Sequence, residues 1–257
     1  MSDERTTTGL PRLDAILDEL RIGDNVVWTV DAIEEYACFV EPFVESSLAA
    51  ERRLVYFRFA DHAPLLEEDP AVTRHELDPH LGFESFTHSI HRLITEHGEG
   101  AFYVFDCLSD LLSAWATDQM VGDFFRVTCP YLYRLDTIAY FAVLRASHSF
   151  RTIARIRQTT QVMIGVYGHG RQRHVHPLKV WERHSPTMFL PHVMQGRSLV
   201  PIADSYHATS LLSELQQRTI DSSRRHLDSW DRLFLEAEDI ADRGEDDAPY
   251  AAMVDKI

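Results

Sequence analysis

Apolar residues are arranged along this chain in two alternating patterns. Short, mostly apolar runs at 25–30, 54–60, 101–105, 137–144 and 162–167 read as strands, the early ones buried on both faces. Between them lie stretches with helical spacing. The first is a short helix over 12–20, opened by Thr8-Gly9-Leu10-Pro11, with Leu13, Ile16, Leu17 and Leu20 on one side. Further helices are expected over 34–48, 84–97, 109–116, 121–135 and 150–158, with Pro130 kinking or interrupting the fourth of these. In the helix over 84–97, Phe86, Ile90, Leu93 and Ile94 share a face. A short strand is expected over 73–77. Apolar strands separated by helices predict a parallel sheet covered on both sides. After Tyr167 the rhythm changes, and 174–182, 187–194 and 197–202 read as short antiparallel strands at one edge of that sheet. Residues 205–243 are helical in pattern, carrying Leu211, Leu212, Leu215, Leu227, Trp230, Leu233 and Phe234, either to pack on the sheet or to meet another protein. The division that follows is an α/β domain over 1–203, a C-terminal helical extension over 204–243 and a loose tail over 244–257.

Composition narrows the function classes. With 45% apolar residues in 257, the chain has ample material for a core. Its formal net charge of −15 argues against non-specific nucleic-acid binding, which needs clustered cations. Cys38, Cys107 and Cys129 are widely spaced in apolar runs and read as reduced core thiols. The polar start leads into no apolar segment of the secretory type, and no apolar run is long enough for a membrane span. A cytoplasmic location and no membrane partner are therefore expected.

The most informative stretch joins the first strand to the following helix. It reads Asp31-Ala32-Ile33-Glu34-Glu35-Tyr36-Ala37-Cys38. A working phosphate-binding loop, G-x-x-x-x-G-K-[ST], uses glycines to let backbone N–H groups close on phosphates, a Lys to reach the β/γ oxygens and a hydroxyl for Mg²⁺. Laid on that pattern, Asp31 and Tyr36 stand on the glycines, Ala37 on the lysine and Cys38 on the hydroxyl. Tyr36 would fill the space that phosphate needs, Ala37 carries no charge, and Cys38 is a poor magnesium ligand. Asp31, Glu34 and Glu35 add negative charge; one carboxylate about 5 Å from a phosphate costs about 3 kcal/mol at an effective dielectric of 20, or roughly a hundredfold in affinity. An ordinary strand–helix turn would carry the same residues. No bound cofactor is expected at this loop.

Other motifs place the junction in a family context. Thr8-Gly9-Leu10-Pro11-Arg12-Leu13-Asp14, the strand ending at Asp106 with Ser109 and Asp110 beyond it, and Leu178-Lys179-Val180-Trp181-Glu182-Arg183-His184-Ser185-Pro186 together resemble the RecA/KaiC-like branch of P-loop ATPases in order and spacing. The runs Gly23–Trp28, Tyr56–Ala60, Tyr103–Asp110, Thr128–Tyr133 and His176–Val180, with 230–238, resemble a region at the N-terminus of some pyruvate, phosphate dikinase or phosphoenolpyruvate-synthase-like proteins. The resemblance implies a RecA-like three-layer sandwich, a mostly parallel central sheet with antiparallel edge strands. It also implies an assembly, regulatory or docking role, through a protein partner or self-association. The catalytic modules of those enzymes have no counterpart in this sequence.

Asp106 ends an apolar strand, where α/β sheets present ligand groups. In a live ATPase it would hold magnesium; with the lysine gone, capping the helix near Ser109 is expected instead. In the family two acidic residues follow the second strand; here Ala60 replaces one and Asp61 remains, adjacent to His62, either as an acid–base pair or as a plain turn. The alternative function is a divergent ATP- and Mg²⁺-dependent ATPase or kinase using Asp61 and Asp106, with Lys179 or Arg183 supplied by a neighbour. His174 and His176, at i and i+2 with His169, His184 and His192 nearby, could bind zinc, against the reading of a solvated His/Arg hairpin. The basic side chains of that edge could meet an acidic surface, such as Glu34-Glu35 of another copy.

Overall fold

The fold is described from a computed structural model, covering residues 6–169, 172–206, 208, 209, 211–213 and 216. A short helix α1 (Pro11–Leu17) precedes β1 (Asn25–Val30), α2 (Ile33–Ala49), β2 (Leu54–Arg58) and β3 (Val72–Glu76). Then come α3 (Phe83–His97), β4 (Phe102–Cys107), α4 (Gln119–Arg134), β5 (Ile138–Leu144), α5 (Phe150–Thr159) and β6 (Val162–His169). The chain closes with β7 (Gln172–Val180), β8 (His192–Gln195) and β9 (Ser198–Pro201). These strands form one nine-stranded sheet in the order β3-β2-β4-β5-β1-β6-β7-β8-β9. The pairs from β3 through β6 are parallel, and those from β6 through β9 are antiparallel. This is the expected α/β arrangement, with a mostly parallel sheet and an antiparallel extension.

Alternation along the strands builds two cores. On β1, Val26, Trp28 and Val30 face one side and Val27 the other. The first side is covered by α1 and α2, where Trp28 stacks on Phe39 at 4.1 Å and Phe43 on Tyr140 at 4.0 Å. The second carries α3 and α4, with Phe57, Phe105, Phe124, Phe125 and Phe141 in contact. Helices on both faces make three layers.

The entry motif has a clear local cause. Asp14 accepts from the Thr8 N–H at 2.8 Å and from the Thr7 and Thr8 hydroxyls, tying the turn to α1. Gly9 has φ +77°, and a Cβ there would lie 2.0 Å from the Pro42 carbonyl oxygen, so the turn can rest directly on α2.

Several expectations change. The helix expected at 109–116 is a 3₁₀ helix, Leu108–Ser113. Pro130 lies inside α4, which continues to Arg134. The strand expected over 187–194 shrinks to β8, because Pro186 and Pro191 bracket a turn in which Leu190 N–H bonds Thr187 O at 3.0 Å. Of the extension over 204–243, only positions up to 216 are described, and they begin in helix with Leu211 buried; the rest of it and the tail over 244–257 lie outside the described residues. Among the described residues no helix is long and apolar enough to cross a membrane.

Candidate functional site

Neighbouring strands β1 and β5 send their connections in opposite directions. From β1 the chain crosses by α2 to β2 on one face; from β5 it crosses by α5 to β6 on the other. Their carboxyl ends therefore form a topological switch point, where open α/β sheets place ligands. The joint after β1 sits there and is only two residues long, Asp31 and Ala32, because α2 starts at Ile33. Six of the eight positions that would correspond to a phosphate loop are therefore helix.

The amide donors of this joint are already used. Glu35 Oε2 accepts from the Asp31 N–H at 2.9 Å and from the Ala32 N–H at 3.4 Å. This is the reaching-back half of a capping box; Ala32 has no side-chain acceptor for the other half. Arg145, immediately after β5, donates from Nε to Asp31 Oδ1 at 2.8 Å and from Nη2 to Thr29 O at 3.3 Å and Val166 O at 2.7 Å. The crevice is thus closed by an ion pair and a carboxylate of the chain itself. Tyr36 is fully buried in the core, and its hydroxyl donates to Phe105 O at 3.3 Å; burial pushes its pKa well up. Ala37 packs partly buried against the same core, and Glu34 is exposed. Cys38 Sγ accepts from Arg173 Nη1 of β7 at 3.0 Å, so one basic group of the His/Arg edge meets the α2 region within the same chain.

Asp106 does not cap the helix that follows it, which has no side-chain cap. It is fully buried and binds across the sheet instead. Its Oδ2 accepts from the Phe59 and Ala60 N–H groups at 2.9 and 3.0 Å and from Arg58, while Oδ1 accepts from the Tyr56 hydroxyl. The reason is register. Beyond the last β2–β4 pair, Phe57 with Phe105, the end of β2 turns its free amides toward the next residue of β4. Burial, with Asp106 alongside, raises the Tyr56 pKa.

Asp61 is exposed, and His62 uses both ring nitrogens elsewhere. Nε2 accepts from the Cys107 N–H at 3.3 Å and Nδ1 lies 2.7 Å from Ala63 O, a combination that puts the proton on Nδ1. Asp61 instead lines a cleft of about 240 Å³ with Asp78, His80, Asp110 and Ser113. Burial raises the Asp110 pKa; the nearby His62 opposes this, and Asp106 and Asp61 add to it.

The other proposed donors lie far from this edge. β7 runs antiparallel, so Val180 pairs with Val162 at the start of β6, at the opposite rim of the sheet. Lys179 Nζ there donates to Arg157 O at 2.6 Å and Gln158 O at 3.3 Å, closing the end of α5. Arg183 forms a two-pronged bond to Asp24, at 2.8 Å on each oxygen, with its side chain 1% exposed. Both cations are engaged within the chain.

On β7, His174 is buried with its ring stacked on Tyr167 at 5.4 Å, and His176 Nε2 lies 3.1 Å from Phe189 O. The His169 side chain lies outside the described set. Among the described residues no group of three or more His, Cys, Asp or Glu side chains is arranged to hold a metal.

Sequence reasoning passed over Arg58, Arg145 and the capping role of Glu35. The signal for both arginines was present: each is a charge set at the carboxyl end of an otherwise apolar strand. Compared with known proteins, the chain matches no family model and no curated protein.

Proposed function

We propose that this chain is a catalytically silent RecA/KaiC-like domain that serves as a regulatory, assembly or docking module for a phosphoenolpyruvate-synthase or dikinase-like system. The observation that carries the silent character is the Glu35 carboxylate on the Asp31 and Ala32 amides. A phosphate would have to displace a carboxylate tethered three residues away and break the Arg145–Asp31 pair as well. The residues do not fit Mg-nucleotide in the usual pose. The joint is two residues long, Tyr36 is core, and Asp106 is committed to Tyr56, Arg58 and two amides. The module role rests on the sequence resemblance and on a fold whose switch point is filled by its own side chains.

Isothermal titration with Mg-ATP and with Mg-ADP tests the first part. No saturable heat is expected up to millimolar nucleotide; micromolar binding would overturn the reading. Co-sedimentation with a phosphoenolpyruvate-synthase-like enzyme tests the second, with a shared boundary expected and independent boundaries counting against the partner.

A further inference from the structure

Two histidines outside the switch point meet ring to ring. His75 lies on the edge strand β3 and His97 is the last residue of α3, 22 positions later. Their Nε2 atoms are 2.8 Å apart, and the ring planes are inclined by 61°. Two neutral imidazoles can approach in this way only if one nitrogen keeps its proton and the other offers a lone pair. If both nitrogens present lone pairs, a cation must take the place of that proton.

We propose that His75 and His97 form a two-histidine seat for a divalent transition ion of the zinc type, which on binding staples β3 to the end of α3. Imidazole nitrogen is a preferred ligand of such ions. A tetrahedral ion with Zn–N bonds of about 2.0–2.1 Å holds two ligand nitrogens about 3.3 Å apart, so the rings have to part by about half an ångström. Both positions allow it: among the described strands β3 pairs only with β2, and His97 stands where α3 ends at Gly98. The ring protonated on Nε2 moves that proton to Nδ1 through solvent, leaving two lone pairs toward the ion. Both rings are half-buried, so an ion can reach them from water, and water completes its coordination, since no third protein ligand joins them among the described residues.

The surroundings hold the pair neutral and oriented. Burial lowers the pKa of each; for His97 the neighbouring His75 and Arg53 lower it further, while Glu96 opposes the shift at both. His75 also stacks on Phe57 at 5.9 Å, and Arg53 donates to the His97 carbonyl oxygen. Glu96, next to His97, is paired with Arg92 at 2.6 Å.

The test is zinc titration of untagged protein against a chromophoric chelator, together with the thermal midpoint in EDTA, Zn²⁺ or Mg²⁺. One zinc site is expected that raises the midpoint, weakens at least tenfold in His75→Gln and in His97→Gln, and is retained in His88→Gln; Mg²⁺ should have no effect. Equal zinc affinity in all four proteins, or no saturable binding, would overturn the proposal. Should either variant fail to fold by circular dichroism, a zinc-soaked crystal of the unaltered protein decides. An anomalous peak between the two rings is expected, and a peak elsewhere or none refutes the seat.

Discussion

Removing the guanidinium of Arg183 would take the cation from the buried Asp24 at the base of β1 and leave its carboxylate to the Arg21 N–H. Because both side chains are almost wholly enclosed and bonded at 2.8 Å on each oxygen, Arg183→Ala should cost about 3–5 kcal/mol in denaturant unfolding. Arg183→Lys should recover only part of this, since a point charge cannot replace a planar fork that also reaches Glu19 O. A loss under about 1 kcal/mol would show that water reaches Asp24. A second position is constrained by backbone shape. Gly9→Ala places a methyl group onto the Pro42 carbonyl in a left-handed conformation and should cost about 1–3 kcal/mol by the same measurement. Neither residue touches the switch point, so both losses concern folding alone.

At the level of elements, α2 depends on Glu35 for its start. Glu35→Ala frees two amides and should destabilise the protein by about 1 kcal/mol, whereas Glu35→Gln keeps an acceptor and should retain most of the cap. Equal stability of the two variants in urea would remove Glu35 from that role. The strands and helices that carry this joint were legible in the sequence because each is long and strongly patterned: β1 was expected at the residues where it forms, and α2 starts one residue before its expected position. Less could be read where bonding is not local. Asp106 stands at a strand–helix boundary, so a cap was the natural expectation, yet its donors come from the end of β2, nearly fifty residues earlier. The segment 187–194 has strand-forming residues, but two prolines deny it a ladder. That the 31–38 joint lacks glycine, lysine and hydroxyl is legible from residue types; that most of it is helix follows from the local Glu35 cap.

For the molecule as a whole, several histidines fold in the neutral form. Burial pushes the pKa of His75, His91, His97, His176 and His192 below the ordinary 6.5. The unfolded chain therefore binds more protons than the folded one in this range. Their contribution is present above about pH 6.5 and is lost as pH falls through the lowered folded values. The urea midpoint should decline from pH 7 to pH 5.5, and a flat profile would contradict this. Topology has a temporal consequence of its own. β1 stands between β5 and β6, and the pairing of Asn25 with Ala139 means that its first neighbour is encoded more than a hundred residues later. At a synthesis rate of about 5–20 residues per second, Val26-Val27-Trp28 leaves the ribosome roughly 6–20 s before either neighbouring strand exists. During that interval the strand destined for the middle of the sheet has both hydrogen-bonding edges and its Val27 face open, and a nascent chain of this design has reason to be met by a chaperone.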